Sequence, residues 1–470
     1  MAVGALGSLG CRAPLAPQPN VLLVTLDTVR ADRLSAYGFD LPTTPFLEQL
    51  ARRGSRFERA YAASNITKPS HASILTGLHL KHHGILTNNE TVLHEGIETL
   101  AERFRHAGYV TLAVVATNLL DAERSGLAQG FDIYADADPG GPRRHRRERL
   151  LQRSAPEVVE TFLGALGERP SEPFFAWVHF YDAHTPYRPP PDFVERFLGP
   201  ESAEEPASLP AIAPFAGTSM VRGAIPHTSA LGTRRDPRFY EASYHGELAF
   251  LDANLARLFR GIDALSLRRP LLAAITADHG EMLGERGIYY NHASLEEPVI
   301  RVPLILVGAG VPSGVSIDAV VESVDLAPTL AELAALAPGA PQDGESLVPL
   351  FAGRPAGDGF AFSQHGHDLA ISVRHCRGAL MSPLPAGSDW IVTPFSKFSR
   401  RAYLAYLDLE AQRFQPADSS LAGSPCSGAE LGELDRRLIA WYRERGDYPA
   451  AETVPIAGEE AARLRALGYL

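Results

Sequence analysis

The sequence predicts an α/β protein: a large, mostly parallel β-sheet sandwiched by helices, followed by a smaller C-terminal α+β domain. Three observations predict it. Short runs that are apolar at nearly every position, such as Val21–Leu26, alternate with segments of helical period. Strands that lack an in/out alternation need cover on both faces, which a parallel sheet receives from its crossover helices. The alternation then stops after about residue 355. The expected organisation is residues 1–19 as a signal remnant or linker, 20–355 as the main domain and 356–470 as the smaller one.

The elements follow in order. Val21–Leu26 (VLLVTL) reads as a strand and Leu47–Gly54 as a helix. A further helix begins near Pro69 and continues through Ser73–Gly77, with proline well placed in its first turn. Leu100–Ala107 is an amphipathic helix and Tyr109–Val115 a strand. Phe174–Phe180 (FFAWVHF) is another strand. Tyr244–Arg260 carries Leu248, Leu251, Leu255 and Leu258 on one helical stripe. Leu271–Thr276 and Val302–Val307 are strands, and Ser323–Leu336 is a helix. In the last part, Leu369–Val373 and Trp390–Val392 read as short strands and Glu430–Arg445 as a helix. Residues 138–153 form a Gly/Pro turn and a basic run: a solvated loop and helix start, or a rim that steers anions. Residues 199–236, rich in Pro, Ala, Gly and Ser, read as a long surface insertion.

Composition sets limits. Of 470 residues, 45% are hydrophobic and 21% charged, which excludes a disordered chain or a disulfide-dense scaffold. A net charge of −11 argues against nucleic acid as a partner, because nonspecific binding needs basic surface. It leaves open a small anionic ligand held by a local cationic site. The cysteines, Cys11, Cys376 and Cys426, form no CxxC or Cys/His zinc pattern. No apolar run approaches the roughly 18–20 residues of a membrane span. Met1–Gly10 is uncharged and mostly small or apolar, and precedes Cys11 and the Pro-rich Arg12–Asn20. It reads as the end of an export signal with a lipid-acceptor cysteine, or as a disordered terminus. The first reading makes the protein extracytoplasmic, periplasmic or lipid-anchored, and leaves Cys376 and Cys426 able to pair. The second leaves it cytoplasmic. An N-terminal lipid is the one membrane contact expected.

Parallel strands deliver functional residues at their carboxyl ends. Here the first strand runs into Asp27, another ends near Asn118, FFAWVHFYDAH ends in His184, and LLAAIT leads into Asp278-His279. Asp27, Asp278 and His279 converge if their strands are neighbours, and their oxygen and nitrogen donors suit a hard or borderline divalent cation. Thr67 sits at a helix N-terminus, where backbone N–H groups and the dipole favour negative charge. It is either an N-cap or a nucleophile whose alkoxide is stabilised there. An N-cap alone does not account for Lys68 and His71 in the same turn.

The chain resembles the sulfatase family of the alkaline-phosphatase-like superfamily. The resemblance runs from Asn20 to the end through NVLLVTLDTVRADRLSAYG, TKPSHASILTG, VHFYDAHTPY, ITADHGEMLGERG, NHASLEEPVIRVPLIL, SVDLAPTL and the closing LRALGYL. It implies an ester hydrolase with Asp27, Thr67, Asp278 and His279 around one divalent ion, with Mn²⁺, Ca²⁺ or Mg²⁺ preferred to Zn²⁺. The family's C/S-x-P-x-R motif, source of the formylglycine nucleophile, aligns with Thr67 and His71, so no formylglycine is expected. Its Asp–Asp pair becomes Asp27–Thr28, and its G-K-W-H segment becomes Val115–Asn118. His184 matches a substrate-contacting histidine, and His292 stands where many members carry lysine.

A threonine nucleophile resembles lipoteichoic acid synthases and nucleotide pyrophosphatases/phosphodiesterases of the same superfamily. The implied function is hydrolysis of phosphate or sulfate esters through Thr67, with phosphodiester or phosphonate esters favoured. The alternatives are a sulfatase proper, or an inactive protein that binds a sulfated or phosphorylated glycan. The implied substrate is a small-molecule, glycan or lipid ester. His71, His184 and His292 would bind ester oxygens or protonate the leaving group, and Lys68 and Asn118 would contact substrate. Arg30 and Asp32 would support the first ligand or form a surface ion pair. His82-His83 and Gln364-His365-Gly366-His367 are weaker site elements.

Overall fold

A computed structural model of the chain describes residues 18–88, 91–137, 152–167, 172–199, 208–210, 222–366, 370–375, 378–383, 390–392, 397–399, 413–416, 431–444, 448–449 and 451–453. Met1–Gly10, all three cysteines, most of the basic run, half of the insertion, His367 and the closing LRALGYL lie outside the described residues. In chain order the main elements are β1 (Asn20–Leu26), α1 (Pro45–Arg53), β2 (Gly54–Tyr61), α2 (Thr67–Thr76), α3 (Leu100–His106), β3 (Val110–Val114), β4 (Ile133–Ala135), α4 (Ala155–Gly167), β5 (Phe174–Phe180), α5 (Pro237–Ala264), β6 (Leu271–Ala277), β7 (Arg301–Gly308), β8 (Val315–Glu322) and α6 (Leu326–Leu333). The strands form one eight-stranded sheet flanked by helices, in the order β8-β2-β7-β6-β1-β5-β3-β4. Only β7 runs against the others.

The α/β architecture is as expected. The central strands β1, β3 and β5 are buried along their whole length, as a sheet covered on both faces requires. The sequence reading passes over β2, β4, β8 and α4. In β2 (GSRFERAY), Arg56 and Glu58 interrupt the apolar run and pair with each other through Arg56 Nη2. The helix read over Ser323–Leu336 divides into a 3₁₀ turn (Ser323–Asp325) and α6, with a capping box between Glu322 and Asp325 at its entry. Beyond residue 355, β9 (Phe360–Gln364), β10 (Ala370–His375), β11 (Gly378–Pro383) and β12 (Arg413–Pro416) form an antiparallel sheet, followed by α7 (Leu431–Arg443). Phe362 stacks on Trp441 of α7 with centroids 5.0 Å apart. Strand β9 also reaches the main sheet, where Gln364 N donates to the Ala63 carbonyl at 2.9 Å. No helix among the described residues is long and apolar enough to cross a membrane.

Register places the site. Strand β1 pairs in parallel with β5 and β6, so that Thr25 lies level with His179 and Thr276, and Leu26 level with Ala277. The next residue on each strand is Asp27 and Asp278. Two helices that begin near this framework are capped from a distance. Helix α1 has no side-chain cap of its own at Thr44. Asp252 of α5 accepts from Phe46 N at 2.8 Å and Leu47 N at 2.9 Å instead. Asp252→Ala should therefore lower the unfolding free energy by about 1–3 kcal/mol, the cost of leaving buried donors unsatisfied. Denaturant unfolding measures this, and Asp252→Asn should recover part of the loss.

Candidate active site at the carboxyl edge of the sheet

Asp27 follows directly on β1, and the chain turns sharply there. Thr28 adopts a left-handed conformation (φ 54°), which is strained for a β-branched residue. Its N–H donates to Asp278 Oδ1 at 3.2 Å, and the His279 N–H donates to the same oxygen at 2.8 Å. Asp278 Oδ2 has no hydrogen-bond partner among the described residues, nor do Asp27 Oδ1 and Oδ2, Thr67 Oγ1, His179 Nε2 or His279 Nε2. Buried polar atoms are normally satisfied, so a group of orphans in one place calls for a ligand. One ligand atom each from Asp27, Asp278 and His279 lies within 4.8 Å of the others. Two carboxylates and an imidazole fit a divalent cation.

The surroundings are buried. Burial raises both Asp27 and Asp278 well above the ordinary carboxylate range. For Asp278 the neighbouring Asp27 charge adds to the effect. Burial also lowers His179, His184, His279 and His292 to about 3, and His71 well below its usual value, so these rings are neutral at pH 7.

Backbone partners fix which nitrogen carries each proton. A carbonyl can only accept. His279 Nδ1 donates to Gly280 O at 3.0 Å, His184 Nδ1 to Thr185 O at 2.6 Å and His292 Nδ1 to Asn65 O at 2.7 Å. These rings turn Nε2 lone pairs outward, the form a metal ligand needs. His292 stacks on His279 with centroids 4.3 Å apart, and His184 lies 5.8 Å from His292.

Thr67 is not an N-cap. Ile66 holds that position, and Asn88 Oδ1 accepts from Lys68 N at 2.8 Å in place of a local cap. Thr67 is the first helical residue, fully buried, with its hydroxyl beside the Asp27 carboxyl. His71, one turn on, has both nitrogens engaged within the protein. Nδ1 donates to the Thr67 carbonyl at 2.7 Å, and Nε2 accepts from Thr25 Oγ1 at 3.0 Å. Thr25 Oγ1 in turn accepts from Trp177 Nε1 at 2.9 Å. The ring expected to meet substrate is thus held between helix and sheet. Lys68, also expected to contact substrate, is held by the backbone. Its ammonium donates to the carbonyls of Thr91 and Arg124 at 2.8 and 2.9 Å, and burial lowers its pKa to about 7.

Asn118 opens a 3₁₀ turn after β3, and its buried Oδ1 has no partner among the described residues. Arg30 is itself buried, although its partners Asp32 and Glu285 reach the surface. It binds Asp32 and Glu285, each at 2.7 Å, and the Glu281 carbonyl at 3.0 Å, bracing the loop that carries Asp278 and His279. His82 pairs with Asp343 at 2.8 Å. His83 Nε2 hydrogen-bonds Ser73 Oγ at 3.0 Å. His365 Nδ1 donates to the Gly366 carbonyl.

Two residues of the site are absent from the sequence reading. His179 is the second-last residue of β5, where it looks like one more core position, yet its Nε2 lies 3.5 Å from Asp27 Oδ2. Glu281 is fully buried, with Oε2 accepting from the Tyr187 hydroxyl at 3.3 Å and Oε1 unpartnered among the described residues. Neither could be found from apolar pattern or strand-end position alone.

The sulfatase family model matches residues 19–336, and the chain belongs to the sulfatase family. It is 25% identical over 368 residues to a sulfatase of Formosa agariphila, covering 70% of this chain and 72% of that one. It is 26% identical over 220 residues to mouse arylsulfatase K, covering 46% of this chain and 37% of that one. Its fold matches the phosphonate monoester hydrolase of Silicibacter pomeroyi with a TM-score of 0.66 and 20% identity, over 93% of this chain and 99% of that one.

Asp278→Asn should weaken divalent-cation binding by more than roughly 100-fold, beyond the ~10–100-fold typical of a lost outer partner. Calorimetric titration measures it. The amide oxygen can still accept from Thr28 and His279, and one buried like charge is gone. The melting temperature of the cation-free variant should therefore match or exceed that of the parent.

Proposed function

We propose that this member of the sulfatase family is a metal-dependent ester hydrolase with Thr67 as its nucleophile, acting on phosphodiesters or phosphonate monoesters in preference to sulfate esters. The carrying observation is the Thr67 hydroxyl: fully buried, at the first turn of α2, unpartnered among the described residues and beside the Asp27 carboxyl. An oxygen so placed is held for a reaction.

Asp27, Asp278 and His279, with Thr67 beside them, would hold one divalent ion, of which Mn²⁺, Ca²⁺ and Mg²⁺ suit the carboxylate-rich set. Such an ion supplies a Lewis acid that lowers the cost of an alkoxide and of charge on the ester oxygens. Thr67 Oγ gives up its proton to solvent and attacks phosphorus in line. The Thr67 O–P bond forms, the P–O bond to the alcohol breaks, and the alkoxide leaves with a proton from solvent. Water then attacks phosphorus and loses a proton to solvent, the P–O bond to Thr67 breaks, and Thr67 Oγ takes up a proton to restore its hydroxyl. His184 and His292 keep their protons on Nδ1, so that Nε2 can accept a hydrogen bond and orient that water without taking its proton.

Two arguments narrow the substrate. A sulfo-threonine has no second hydroxyl on its β-carbon, so it cannot expel sulfate by C–O cleavage as a formylglycine hydrate does. It must await water at sulfur, which slows sulfate turnover. Charge supplies the second argument. Two carboxylates against a divalent ion sum to zero. The neighbouring imidazoles are neutral, Lys68 is turned to carbonyls, and Arg30 is matched by Asp32 and Glu285. Nothing described here compensates the second negative charge of a phosphate monoester, whereas diesters and phosphonate monoesters carry one.

On a panel of aryl esters with each divalent metal, kcat/KM should be highest for the phosphodiester or phosphonate monoester. Multiple-turnover sulfatase activity above phosphoesterase activity would refute the substrate assignment. Thr67→Ala should lose several orders of magnitude in kcat, as expected on deleting a nucleophile. Full activity in that variant would refute the nucleophile.

A further inference from the structure

His179 breaks the tautomer pattern of its neighbours. Its Nδ1 faces the Ala116 backbone N–H at 3.2 Å, and a backbone N–H can only donate. Nδ1 is therefore the lone-pair nitrogen, and the neutral ring carries its proton on Nε2. That Nε2–H is fully buried, has no hydrogen-bond partner among the described residues, and lies 3.5 Å from Asp27 Oδ2. The ring is confined on a second side by His71, whose edge meets it at 80° with centroids 4.9 Å apart.

We propose that His179 is a positioning residue: its fixed Nε2–H holds Asp27 Oδ2 and so orients Asp27 for the cation, without touching the ester. The inference rests on the cation site of the proposed function. Two other roles are disfavoured by the same contacts. As a cation ligand His179 would need its lone pair on Nε2, which would set an Nδ1–H against the Ala116 N–H. As a base for Thr67 it would need that same lone pair. A donor facing a carboxylate needs no rearrangement beyond a small turn of the carboxylate. Outer partners of this kind fix ligand geometry and commonly set metal affinity.

Two substitutions separate the nitrogens. The amide N–H of glutamine reaches the place of Nε2, whereas the asparagine oxygen takes the place of Nδ1 and leaves Nε2 empty. The full-length protein, stripped with chelator, would be titrated calorimetrically with Mn²⁺ and with Ca²⁺, and melted without metal. His179→Asn should weaken cation binding about 10–100-fold while keeping the bond from Ala116 and a melting temperature near that of the parent. His179→Gln should bind the cation more tightly than His179→Asn even if it melts lower. An affinity that simply follows the melting temperature, or an asparagine variant with parental affinity, would overturn the inference. A parent that binds no divalent cation would overturn it together with the cation site. A protein that shows the expected variant order but hydrolyses no ester would support it and defeat the catalytic reading alone.

Discussion

Two carboxyl groups buried side by side are the constraint on which the rest of this structure depends. Asp27 and Asp278 follow neighbouring parallel strands whose register leaves them level. Neither can move away without breaking that register. Burial and, for Asp278, the charge of Asp27 oppose its ionised form. The surrounding structure is arranged around this cost. Thr28 accepts a strained backbone to aim its N–H at Asp278, and Arg30 fixes the loop behind from inside the protein. A divalent cation is the natural partner for two adjacent carboxylates in a buried site, because it converts their repulsion into ligation.

The backbone then decides what each imidazole can do. His184, His279 and His292 spend Nδ1–H on carbonyls and present lone pairs, whereas His179 meets an N–H and presents a proton. A lone pair serves a cation or a water molecule, and a proton serves a carboxylate. The assignment of roles within this cluster thus lies in main-chain geometry rather than in residue type.

That explains what was legible in the sequence. Asp27, Asp278 and His279 stand directly after apolar strands, and parallel strands end on one edge, so their convergence follows once β1 and β6 are known to be neighbours. The sheet itself was legible where strands are wholly apolar. It was not where β2 alternates Arg56 and Glu58 with apolar residues. His179 is hidden because, inside a buried strand, a functional histidine and a core position look alike. Lys68 and His71 show what residue type leaves out. Their types suit an anion site, but their side chains are spent on the carbonyls of Thr91, Arg124 and Thr67. Sequence places a residue near a site, but only the fold shows which of its atoms are already taken.

Thr67 shows why those spent residues matter. Its backbone is held on three sides. Asn88 binds the next N–H, His71 binds the Thr67 carbonyl, and Ser70 Oγ donates to the Asp278 carbonyl at 2.6 Å, tying the first turn of α2 to the end of β6. Its hydroxyl alone is left without a partner among the described residues. The nucleophilic role proposed for Thr67 would need this combination, because an error of about 1 Å in position can cost roughly 100-fold in rate. Capping, which a threonine at a helix start would ordinarily perform with its own oxygen, is supplied by Asn88 from outside the helix. Relieved of that task, the oxygen of Thr67 stays available to the site, and the helix start still keeps its hydrogen bond.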